Sequence, residues 1–179
     1  MKNKVNFKMN YEITNAEWND LQDIYLLFEQ AIQFQKANNY TGWNSYDKQQ
    51  IEYDIKHNQL FKIYSGNTIA CIFSICSNDK IIWREREKGD AIYLHRIVLN
   101  QKFAGEKLFK KVLEWAIQYA ITNNLQYIRM DTWADNAKII AYYQSYGFGF
   151  IENYTTPNTV LLPVQHRNLR VALLELKLF

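Results

Sequence analysis

The stretch from Ala91 to Asp131 constrains the fold most. Ala91 to Leu99 is rich in β-formers and ends at a turn at Asn100. Glu106 to Asn123 then sets Leu108, Val112, Leu113, Trp115, Ala116, Tyr119 and Ala120 on one side of a helix. Asn123-Asn124 stops that helix, and Leu125 to Asp131 reads as a second strand. A single helix crossing between two strands predicts a locally parallel pair with a right-handed connection. A ligand is then expected at the carboxyl end of the first strand, against the helix start. Unpaired amides and the positive end of the helix dipole favour an anion there.

The remaining segments extend this unit. Tyr11 to Thr14 alternates weakly, as an edge strand does, and Asn19 to Ala37 carries the i, i+3, i+4 apolar recurrence of an amphipathic helix. Asp47 is placed to cap a short helix running to His57. Phe61–Tyr64 and Thr68–Cys76 flank Ser65-Gly66-Asn67, a hairpin signal. Arg84 to Gly89 reads as a solvated charged connection. A short helix from Asn136, a strand over Gly147–Glu152, a proline-containing loop and a last strand over Leu169–Leu178 complete the chain. The order predicts an α/β fold in one domain spanning 1–179.

Composition narrows the function classes. Apolar residues make up 48% and charged residues 22% of the 179, as in an ordinary globular domain. The net charge of +3 comes without a long basic stripe, so no nucleic acid is expected as partner. No apolar run approaches the ~20 residues of a membrane span. Met1 to Phe7 has charge but no following apolar core, so a cytoplasmic protein without a signal peptide is expected. Cys71 and Cys76 in one strand lie ~16 Å apart, too far for a disulfide. Three scattered histidines offer no metal-ligand spacing.

The chemistry is concentrated near the carboxyl end. Asn136 and Tyr143, seven residues apart, point almost the same way from one helix, and Gly147 closes it. Asn136 fits two roles, a helix cap or a ligand contact. Tyr143 fits core packing or a proton donor. The pattern N-x6-Y-x3-G-F resembles the acetyl-CoA motif of the GNAT superfamily, the acyl-CoA-dependent N-acetyltransferases. The resemblance implies a mixed, mostly antiparallel twisted sheet flanked by helices, with acetyl-CoA as co-substrate. It implies that Asn136 contacts the cofactor and that Tyr143 protonates the departing CoA sulfur.

Leu94 to Lys111 aligns without a gap to the same family's central motif, a strand followed by Q/R-x-x-G-x-G/A and a helix. This implies a pyrophosphate loop formed by Ala104, Gly105, Glu106, Lys107, Leu108 and Phe109. Backbone amides near Ile97, Val98 and Leu99 are expected to hold pantetheine and polarise the carbonyl. Ala104, Lys107 and Phe109 stand where the motif has Arg or Gln, its second Gly and its terminal Gly or Ala; only Gly105 is kept. Lys102, Lys107, Lys110 and Lys111 could supply charge instead.

Leu94-His95-Arg96-Ile97-Val98 resembles the strand of arylalkylamine N-acetyltransferases. There a histidine at the position of His95 relays a proton from the amine, and Tyr93 occupies the place of a second acid–base group. Unbroken alternation puts Tyr93, His95, Ile97 and Leu99 on one face. An ordinary histidine pKa near ~6.5 suits a base at neutrality. Trp43 and Tyr46 fall in the family's substrate-binding segment, where rings can hold a cationic amine. A small-molecule amine is the expected acceptor, no membrane partner is expected, and a homodimer stays open. The rival reading is a GNAT-shaped ligand-binding module that has lost catalysis.

Overall fold

The computed structural model describes residues 10–40 and 42–179. The leader reading of Met1 to Phe7 lies outside them. Seven strands are present: β1 (Glu12–Asn15), β2 (Leu60–Ser65), β3 (Thr68–Cys76), β4 (Ala91–Leu99), β5 (Tyr127–Trp133), β6 (Gly149–Thr155) and β7 (Arg170–Lys177). Five α-helices join them: α1 (Leu21–Ala37), α2 (Lys48–Lys56), the single turn α3 (Lys80–Trp83), α4 (Leu108–Thr122) and α5 (Ala137–Gln144).

Local signals locate most of these elements. The Asp47 carboxylate accepts the Gln50 amide at the start of α2, as its cap position predicts. Asn136 caps α5 in the same way, accepting from the Ile139 amide at 3.1 Å. Gly147 closes α5 at φ +96°, a conformation that side chains resist. Helix α1 buries Ile24, Tyr25, Leu27, Phe28, Ala31 and Ile32, the stripe its periodicity marks.

The strands form one sheet in the order β1-β2-β3-β4-β5-β7-β6. Every neighbouring pair is antiparallel except β4 and β5, the parallel pair joined by α4. The final strand inserts between β5 and β6, an order that no local signal encodes. Helices α4 and α5 cover one face, with Val112 and Ala116 of α4 in the cluster over Phe73, Leu94 and Leu174. Helices α1 and α2 cover the other, over Leu60, Ile72 and Val98. Among the described residues no helix is long and apolar enough to cross a membrane.

Strand β4 departs from unbroken alternation. Ile72 faces Val98 and Ser74 faces His95, so β4 uses one more residue than β3 between these pairs. Arg96 sits within this bulge at φ +50°. The extra residue reverses the side-chain parity. Ile92, Leu94 and then Ile97 pack toward α4, while Val98 packs toward α1. The expectation that Ile97 and Leu99 share a face with Tyr93 and His95 is therefore wrong. A left-handed arginine costs roughly 1–2 kcal/mol. It is held there by Asp54 of α2, whose Oδ2 lies 2.5 Å from Nη2 and whose carboxylate is buried.

The charged connection after β3 is also more ordered than its composition implied. Arg84 reaches Glu152 at 2.5 Å and stacks on the Tyr154 ring at 4.0 Å. Glu87 is buried and accepts the amides of Asp79 and Gly89.

Candidate active site

Strands β4 and β5 are hydrogen-bonded from Ala91↔Tyr127 to Leu94↔Met130 and then part. Beyond Leu94 the β5-facing edge of β4 has no ladder partner, so backbone donors and acceptors line the gap. The cavity that opens there holds about 290 Å³. Its walls are Leu94–Leu99, Met130–Trp133, Phe34 and Trp43 from the α1 side, Tyr142 and Tyr143 of α5, and His166 from the loop between β6 and β7. The parallel pair predicts this place for a ligand, and Arg96 of the bulge lies in its wall.

His95 stands between two carboxylates. Its Nε2 lies 3.4 Å from Asp79 Oδ2, and its Nδ1 lies 3.7 Å from Asp131 Oδ1. Asp131 and His95 line the cavity, whereas Asp79 lies behind them. Burial holds His95 low, at about 3, and the Arg96 guanidinium and His166 add to this. Burial pushes Asp79 up to about 7, with the Asp131 charge as the next cause. Burial likewise pushes Asp131 up to about 6, against the pull of Arg96. His95 is thus neutral near pH 7, but it does not titrate near its ordinary value as expected. Protons bound in that range belong to the three groups together. His166, across the cleft, is held at about 4 by its own burial.

Tyr143 occupies the opposite wall. Its ring meets Phe109 edge-on at 4.8 Å, and its hydroxyl makes no hydrogen bond among the described residues. Burial raises its phenol well above the usual value, and the Asp131 charge adds to this, so the hydroxyl stays a donor. Tyr142 also lines the cavity. Asn136 lines it while also capping α5.

The start of α4 takes left-handed backbone at two positions, of which one is glycine. Gly105 takes φ +90°, and a side chain there would meet nothing within 4 Å. Lys107 adopts a left-handed conformation at φ +51°, where the motif has glycine. The amides of Gly105, Lys107, Leu108 and Phe109 find no acceptor among the described residues. Phe109 is 1% exposed and points inward, against Tyr142, Tyr143, Tyr146 and Phe148. Its ring therefore does not cover the amides. Ala104, Gly105, Glu106, Lys107 and Leu108 lie beside the cavity rather than in its wall, and Ile97, Val98, Leu99 and Phe109 line it.

Two expected substrate contacts are elsewhere. Tyr93 is fully buried on the ring of Trp83, and its hydroxyl accepts from Arg129 at 3.0 Å. It belongs to the core near the start of β4, because the strand points it below the cleft. Tyr46 stacks on Phe28 at 5.0 Å, donates to Glu29 and lines only a small side cavity. Trp43 does reach the main cavity, edge-on to Trp133 at 5.4 Å.

Asp79, Arg96, Asp131, Trp133 and His166 were not singled out from the sequence. They come from four separate segments and carry no shared spacing. Parity on β5 was the one usable signal for Asp131, since it follows the buried Ile128–Met130 run toward the strand's carboxyl end.

A model of the acetyltransferase (GNAT) family matches residues 18–148, a span that includes β4, α4, β5 and α5. The uncharacterized N-acetyltransferase YesJ of Bacillus subtilis is 24% identical over 144 residues, which cover 76% of this chain and 80% of YesJ. A GNAT-family acetyltransferase from Listeria monocytogenes superposes with a TM-score of 0.77 at 21% identity, over 95% of this chain and 96% of its own. YncA from Salmonella typhimurium, solved with its cofactor acetyl-CoA, gives 0.65 at 16% identity over 95% of each chain. At these identities the structures speak for the fold, and the family match speaks for descent. The chain belongs to the acetyltransferase (GNAT) family.

Proposed function

We propose that the chain transfers an acetyl group from acetyl-CoA to the primary amine of a small molecule, by direct attack of the amine on the thioester. The observation that carries this reading is the cleft between the parted strands. It has a tyrosine hydroxyl without a hydrogen bond among the described residues on one wall and a histidine held between carboxylates on the other. When bound, acetyl-CoA supplies an activated acyl group and a thiolate leaving group. The amides of Gly105, Lys107, Leu108 and Phe109, without acceptors among the described residues, fit a pyrophosphate, and the open edge of β4 at Ile97–Leu99 fits an amide-bearing arm. Tyr143 donates its proton or hydrogen bond to the thiolate. Asp131 attracts the ammonium, and His95 accepts a proton from it.

An acyl-enzyme route is disfavoured by the state of the thiols. Cys71 is fully buried and its thiol is pushed far up by that burial. Burial pushes Cys76 up to about 12, so neither offers a thiolate near neutrality.

The test is thiol release from acetyl-CoA over a panel of amines, alongside the thermal midpoint with and without acetyl-CoA. A ligand at ~100 times its Kd adds about 2.7 kcal/mol. An unmoved midpoint at millimolar acetyl-CoA would sink the reading. Lys107 and Lys102 have no ion pair among the described residues, yet only Lys107 lies on the amide loop. Lys107→Ala is expected to weaken acetyl-CoA binding more than Lys102→Ala, as read by calorimetry. Equal losses would indicate diffuse charge.

Trp43 presents the aromatic wall to the acceptor. Trp43→Ala is expected to raise the KM of the best amine by roughly 2- to 30-fold, the span of a cation–π contact, with kcat little changed. An unchanged KM would remove Trp43 from the acceptor site.

A further inference from the structure

We propose that Asp79 is the buried terminus of a proton relay, to which His95 passes the proton it takes from the acceptor amine. The inference rests on the transferase reading above and extends it by one positioning residue that acts through His95. Asp79 lies in the connection from β3 to α3, outside every expected motif. Its backbone is fixed from both sides: its amide donates to Glu87 at 3.0 Å, and its carbonyl accepts the Trp83 amide at 2.9 Å. Its Oδ2 is shut off from solvent and has no hydrogen bond among the described residues. His95 Nε2 lies 3.4 Å from it.

A buried carboxylate oxygen without a donor is costly unless it shares a proton with its neighbour. That neighbour faces the cleft with its other nitrogen, Nδ1, beside Asp131. The imidazole therefore joins a cleft-side position to a dry one. In the relay an N–H bond of the substrate ammonium breaks and an Nδ1–H bond forms. The Nε2–H bond breaks and an Oδ2–H bond forms on Asp79. The amine is left neutral with its lone pair free, and the imidazole begins and ends uncharged. One proton has moved, and no other reactant is needed.

A carboxylate that stays ionised can only orient a histidine and stabilise its cation. Asp79 differs because burial and the Asp131 charge bring its proton affinity near neutrality, with Glu87 adding to this and the Ile82 amide and Arg96 opposing it. Around the imidazole, burial first and then the Arg96 charge disfavour the imidazolium. The relay avoids forming it.

The test measures kcat/KM against pH for wild type and Asp79→Asn, using the best amine at saturating acetyl-CoA. Asp79→Asn keeps the shape but cannot take the proton. It is expected to lower kcat/KM about tenfold or more above pH 8, within the range for a lost acid–base step. It should also move the acid limb of the profile, with the KM for acetyl-CoA unchanged. A wild-type rate and an unmoved limb would overturn the proposal. A second readout needs neither the variant nor an acceptor: the ring nitrogen shifts of His95 and the side-chain carboxyl shift of Asp79, followed by NMR on the wild-type protein. The relay requires the Asp79 carboxyl to titrate around neutrality while the ring stays a neutral imidazole. A ring that becomes imidazolium near its ordinary pKa beside an ionised Asp79 would overturn it. If no amine releases thiol, the transferase reading fails, and the NMR titration still decides whether Asp79 holds the proton.

Discussion

Replacing Tyr143 by phenylalanine is expected to cut kcat about 10²-fold or more while leaving the fold intact. The hydroxyl has no hydrogen-bond partner among the described residues, so its removal breaks none of the bonds that hold α5 in place. The ring keeps its edge-on contact with Phe109 at 4.8 Å. Stability should therefore change by less than the ~1 kcal/mol that an ordinary hydrogen bond contributes. The loss should be nearly constant across the working pH range, because burial keeps the phenol protonated above its usual value. The sign matters here: a raised phenol pKa moves loss of the donor to higher pH, so no alkaline limb should arise from Tyr143 near its ordinary value. Thiol release with wild type and variant from about pH 6 to about 10 measures both points. A variant that turns over at the wild-type rate would mean that the thiolate leaves without help from this hydroxyl.

Truncating Phe109 to alanine is expected to be the most destabilising single change near the site. Its ring is 1% exposed and is surrounded by Tyr142, Tyr143, Tyr146 and Phe148. Phe→Ala in a packed core costs roughly 3–5 kcal/mol through lost burial and the cavity left behind. The lower end is expected, since the ring also borders the cleft and the space can take up water. Phe109→Leu keeps most of the volume and should cost less than about 1.5 kcal/mol. Urea midpoints for the pair read this directly. Activity should fall with the alanine variant even where it is folded, because Tyr143 loses the ring that sets its direction. Equal midpoints for wild type and Phe109→Ala would mean that the aromatic cluster is not what docks α5 on α4.

These effects separate what the chain encodes locally from what folding adds. Helices α1, α2, α4 and α5 could be read because apolar periodicity, Asp47 and Asn136 as caps, and Gly147 as a stop all act within a few residues. The parallel β4–β5 pair followed from a single crossing helix, and with it the place of the cleft. Tyr143 was legible for the same reason: two turns of helix from Asn136 to the stop at Gly147 leave its direction little freedom. The loop at Lys107 looked broken in sequence, because residue type reports only the cost of a left-handed turn. The chain accepts that cost there, at φ +51°.

Other features were decided by tertiary structure. The bulge at Arg96 depends on how β4 registers against β3 and on Asp54 arriving from α2, and it overturned the face assigned to Ile97 and Leu99. Tyr93 was misplaced because alternation gives the face of a strand but not the depth at which neighbouring strands part. The Asp79–His95–Asp131 cluster joins a loop and two strands that only sheet pairing brings together. The sequence by itself thus determined most of the elements, the parallel crossing and the direction of Tyr143, all set by short-range geometry. Only the assembled sheet decided where a dry, charged pocket forms, because burial and charge proximity are properties of the packed molecule.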